Sequence, residues 1–80
     1  MKFTVGGRMI NLERQDMISL LQGKTPPVHG RHKHFVLIGR KVWPVKSAVC
    51  EATGLDPLTF PTSEAVRVLN RLGFATSREG

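Results

Sequence analysis

The chain reads as a small α+β domain: three short helices packed on a two- to three-stranded antiparallel sheet with a β-hairpin at its centre. Three observations predict this. Residues 35–38 and 42–45 are apolar, rich in strand formers, and separated by Gly39-Arg40-Lys41. Val45, Ala48, Val49 and Ala52 recur at i, i+3, i+4 and i+7, the spacing of one helix face. Ala65, Val66, Leu69 and Leu72 repeat that spacing after a Pro61-Thr62 start signal. With 80 residues the whole chain, 1–80, makes one domain with a modest core.

In order, Phe3 and Val5 alternate on a short strand over residues 2–5, which Gly6-Gly7 breaks. Asn11 is the expected N-cap of a first helix over 12–22, with Glu13 in its first turn. Its inward set is Met17, Ile18 and Leu21, with Leu20 at the edge; Arg14 stands where an apolar residue would have extended the stripe. Gly23 ends this helix and Pro26-Pro27 prevents its resumption. Residues 24–33 form a polar loop without periodicity.

At the hairpin, Gly39 supplies the turn position that needs φ > 0. Pro44 has no N–H for a ladder, so the returning strand is an edge strand or ends there. The second helix runs over 46–53 and stops at Gly54; Leu55, Leu58 and Phe60 in the following connector are expected to plug the core. Thr62 is read as N-cap of the third helix, with Val68 flanking its stripe and Gly73 beyond its end. Residues 74–76 suit a final strand against the hairpin, and 77–80 a frayed C-terminus.

Composition narrows function. Twelve Lys+Arg against six Asp+Glu give a net charge of +6, and the pI is about 10.5. Such a surface attracts polyanions, of which nucleic acid is the commonest in the cytosol. One cysteine, Cys50, permits no internal disulfide and fits a reducing, cytoplasmic setting. The first residues lack a signal-peptide core, no run approaches the roughly 20 apolar residues of a membrane span, and no segment combines a basic face with a large apolar one, so no membrane partner is expected.

The basic residues gather around the hairpin: Arg31, Lys33, Arg40, Lys41 and Lys46. Lys46-Ser47 opens the second helix, where exposed N–H groups carry partial positive charge. A lysine there is unfavourable by roughly 0.3–1 kcal/mol unless an anion occupies the site. With a phosphate present, lysine, Ser47 hydroxyl and N–H groups act together; the plainer alternative is a solvated surface lysine. Lys41 and Trp43 share a strand face, so Trp43 is either a base-stacking group beside a cation or a core residue, and core is favoured because an aromatic buries so much area. Arg67 and Arg71, four apart on the third helix, form either a second phosphate track or a solvated face paired with Glu64.

No complete catalytic constellation is present. His29, His32 and His34 lie within six residues, but neither a Cys nor a carboxylate stands near them and Arg31 and Lys33 oppose a cation, so no metal site and no cofactor are expected. Cys50 lies mid-helix without an evident base and reads as a small, partly buried hydrophobe. The acids are scattered singly, unlike a metal-dependent nuclease centre. The reading is a non-enzymatic DNA-binding module; the alternative is a protein-docking module presenting an apolar patch from Met1, Phe3, Met9 and Ile10.

The second half also carries Gly39-Arg40, Trp43-Pro44-x-Lys46, Gly54-Leu55, Phe60, then Ala65, Leu69 and Leu72-Gly73-Phe74. Over residues 34–74 this resembles a small accessory domain of bacterial restriction-type proteins, often joined to HNH endonucleases that cut modified DNA. It is similar there to a G-R-x-Y-P-x-K element followed by an L-G-F ending, with Trp43 standing at the tyrosine. The resemblance implies DNA recognition or docking beside a separate nuclease, and it supplies no catalytic residue.

Overall fold

A computed structural model describes residues 1–27 and 33–78. Strands β1 (Lys2–Val5) and β2 (Arg8–Asn11) form an antiparallel two-stranded sheet, followed by helix α1 (Arg14–Leu21). Strands β3 (His34–Ile38) and β4 (Lys41–Pro44) form the central hairpin. Helix α2 (Val45–Thr53), a 3₁₀ turn (Pro57–Thr59), helix α3 (Thr62–Arg71) and strand β5 (Thr76–Arg78) complete the order. The second sheet runs β4-β3-β5, antiparallel throughout, with β3 in the middle. The predicted α+β class is therefore observed, with one more sheet than expected.

The additional sheet arises at Gly6-Gly7. Both glycines have positive φ (58° and 78°), as a two-residue type I′ hairpin requires, so the chain turns back where a break was expected. Asn11 consequently ends β2 opposite Lys2 and does not cap the helix. Helix α1 starts three residues later, with Glu13 at its N-cap; the Glu13 N–H donates to the Asp16 carboxylate at 2.8 Å. At the central hairpin Gly39 alone has positive φ (64°), matching a type II′ turn whose first central residue is glycine.

Alternation along β3 and β4 sorts their side chains. Val36, Ile38 and Trp43 face the helices and join one cluster with Met17 and Leu21 of α1, Val45, Ala48 and Val49 of α2, and Ala65, Val68 and Leu69 of α3. Phe3 and Val5 of β1 and the linker residues Leu12, Phe60, Leu72 and Phe74 close that cluster. On the opposite sheet face, Leu37 and Val42 pair directly and remain 54% and 46% exposed. Leu58, expected in the core, is 90% exposed: the 3₁₀ turn, capped by Asp56 at the Leu58 N–H (2.9 Å), points it outward and lets Phe60 fill the gap. Helix α2 begins one residue earlier than expected, and α3 is capped by Pro61 rather than by the Thr62 hydroxyl.

The last strand is displaced by two residues from its expected place. Phe74 is buried core, and Ser77 and Arg78, expected to fray, pair with Phe35 and His34. Residues 79–80 lie outside the described residues, as do 28–32 of the 24–33 loop. Among the described residues no helix is long and apolar enough to cross a membrane.

Candidate nucleic-acid interface

The predicted basic surface separates into two neighbouring grooves. Arg40 is exposed at the hairpin tip and, with Lys41, borders a groove of about 340 Å³ against the end of α1, where Ile18, Leu21 and Gly23 form the other wall. Lys46 and Ser47 line a second groove of about 450 Å³, with Thr25, Cys50, Glu51 and Pro57. They occupy the outer face of α2 because positions 45, 48 and 49 turn its other face into the core.

Lys24 joins the two grooves. Its carbonyl accepts a hydrogen bond from Lys41 Nζ at 2.6 Å, and its own Nζ pairs with Glu51 at 3.0 Å. Lys41 is thus tethered by its ammonium, and Glu51 places one negative charge in the groove that Lys46 and Ser47 line. Both partners of the Lys24–Glu51 pair are about half exposed, so its contribution to stability is small. Lys33 stands exposed immediately before β3. Arg31 lies outside the described residues.

At the start of α2, Pro44 holds the N-cap position and no side chain caps the first N–H groups, Ser47 included. Lys46 is half-buried, and its ammonium lies 5.4 Å from the centre of the Phe60 ring, a cation–π contact that draws it toward the start of α3.

Of the two readings of Trp43, base-stacking group or core residue, the fold has the core one. Lys41 and Trp43 do share a strand face, but that face looks inward, and Trp43 is 1% exposed. Stacking a base on it would require removing it from the core, where an aromatic of this size contributes some of the largest burial in a small domain.

Cys50 is half-buried beside Lys46. Burial pushes its thiol pKa up; Lys46 opposes this, and the charges of Asp56 and Glu51 add to it. That is the reverse of an activated thiolate. His34 sits in β3 opposite Arg78. His29 and His32 lie outside the described residues, among which no three His, Cys, Asp or Glu side chains come together for a metal.

The expected apolar patch near the N-terminus is divided by the β1–β2 hairpin. Phe3 is buried and Ile10 packs against the core, leaving Met1 and Met9 exposed. The same hairpin brings Lys2 beside Arg67 and Arg71 in a groove of about 300 Å³. The i, i+4 spacing of the arginines is legible in sequence; the arrival of Lys2, contributed by β1, is not.

Residues 1–80 match the model of a protein family described as SCO5918-like. No curated protein and no solved structure is significantly similar to the chain. With the match spanning every residue from the first hairpin to the last strand, the chain belongs to the SCO5918-like family.

Proposed function

We propose that this chain is a non-catalytic nucleic-acid-binding module, with DNA as its ligand, working in the cytoplasm. One observation carries the reading: among the described residues Lys24 is the only Lys or Arg side chain paired with a carboxylate, so the other described Lys and Arg side chains carry charge that no carboxylate answers. Uncompensated charge of this kind is favourable once a polyanion releases its counterions. Arg31, Lys33, Arg40, Lys41 and Lys46 supply phosphate contacts, and Ser47 with the uncapped start of α2 supplies neutral donors.

Five such contacts carry a salt slope near −4.5, so affinity for a short duplex falls about 500-fold between roughly 50 and 200 mM salt. Fluorescence anisotropy with labelled duplex and single-stranded oligonucleotides measures this directly. Lys46→Ala weakens binding to all sequences alike and flattens the slope by about one. A salt-independent affinity, or none, overturns the reading.

A second reading, docking onto another protein such as the separate nuclease implied by the restriction-type resemblance, is favoured by the exposed Leu37–Val42 pair on the outer sheet face. Val42→Ser, which adds no charge, separates the two: it leaves salt-dependent DNA binding intact under the first reading and weakens complex formation under the second.

A further inference from the structure

We propose that the groove between β1 and the outer face of α3 is a phosphate-binding site built by Lys2, Arg67 and Arg71. It lies apart from the hairpin-tip surface and shares no residue with it. Three cations from two elements converge on one groove of about 300 Å³, whose remaining lining is Phe3, Thr4 and Val68. Phe3 and Val68 are buried and form an apolar base; the charged groups and the exposed Thr4 form the rim. A shallow basic groove of this construction accepts a phosphate group projecting from a larger molecule, or a free phosphate, and leaves most of the ligand in solvent.

The charges have no internal answer. Glu64 lies on the same helix, within reach of Arg67 by spacing, yet among the described residues neither arginine nor Lys2 forms an ion pair with any carboxylate. Like charges four apart on a helix repel, and Lys2 adds a third. The repulsion is relieved when an oxyanion enters. The cluster is also partly pre-organised: the Arg71 guanidinium is 5.7 Å from the centre of the Phe3 ring, which restricts its motion at the edge of the groove. Guanidinium groups present planar pairs of donors that match phosphate oxygens two at a time, which ammonium groups do not.

The test is an NMR titration of the ¹⁵N-labelled full chain, following arginine Nε–Hε and the amides of Thr4 and Val68. The probes are inorganic pyrophosphate, a short DNA duplex, and sodium chloride at matched ionic strength. Pyrophosphate is expected to shift the Arg67 and Arg71 signals saturably, and Arg67→Gln to weaken its binding about tenfold, as for loss of charge-assisted hydrogen bonds. Arg40→Ala leaves it unchanged. Arg67, which is not the arginine stacked on the Phe3 ring, keeps the test valid should Arg71→Gln disturb the fold. Shifts with duplex alone identify a phosphodiester as the ligand; shifts with pyrophosphate alone identify a free phosphate. Either outcome supports the site, and the second does so even if DNA binding at the hairpin tip fails. Signals that do not move, or that move equally in chloride, overturn it.

Discussion

Gly6 and Gly7 occupy the same turn with different constraints. Both have positive φ, where an L side chain is strained by about 1–2 kcal/mol. A Cβ at Gly7 would meet open space, whereas one at Gly6 would lie 2.8 Å from the Thr59 carbonyl oxygen. Gly7→Ala is therefore expected to cost only the strain, and Gly6→Ala a further 1–3 kcal/mol or so of overpacking. Urea unfolding of the two variants, with equal losses, would show that the hairpin does not press on the 3₁₀ turn. Cys50 gives a second prediction, one of pH. Its folded pKa is raised by burial, so the fold favours the neutral thiol. That contribution to stability is complete below the unfolded thiol pKa, near 8.5, and is lost as pH rises through the higher folded value. Iodoacetamide should alkylate the native chain more slowly than the urea-unfolded chain around pH 8–9, the gap narrowing as pH rises beyond the ordinary thiol range. Equal rates in both states would mean that the thiol is not desolvated.

Helix α1 shows how one polar residue on an expected apolar stripe can tie elements together. Arg14 donates from Nη1 to the Gly73 carbonyl at 2.8 Å, and its guanidinium lies 4.8 Å from the Phe74 ring centre. The start of α1 is thereby held to the end of α3, across a sequence separation of 59. Arg14→Met keeps the apolar stem but loses both contacts, and is expected to lower stability by about 1–3 kcal/mol. A thermal melt unchanged from the parent would remove this link from the fold. The elements themselves were unequally legible. The hairpin and the three helices announce themselves through turn glycines and apolar spacing. Strand β2 carries no clean alternation, since only Ile10 is half-buried and Met9 is 73% exposed. Strand β5 is polar over all three residues and exists because β3 offers it an edge.

For the molecule as a whole, composition and order along the chain determined a small α+β domain, three helices, a central hairpin with Gly39 in its turn, and a cationic surface. Each of these depends on short-range quantities: side-chain periodicity, turn chemistry at one or two residues, and the sum of charges. The tertiary structure decided the rest. It turned Trp43 inward, sent Leu58 outward, used Lys41 and Lys24 to bridge the hairpin and α2, and set Lys2 beside Arg67 and Arg71. Each of these rests on how the elements pack against one another, often between groups far apart in the chain. The sequence alone therefore shows that an excess of cationic residues is present, and only closure of the fold determines which of them share a surface.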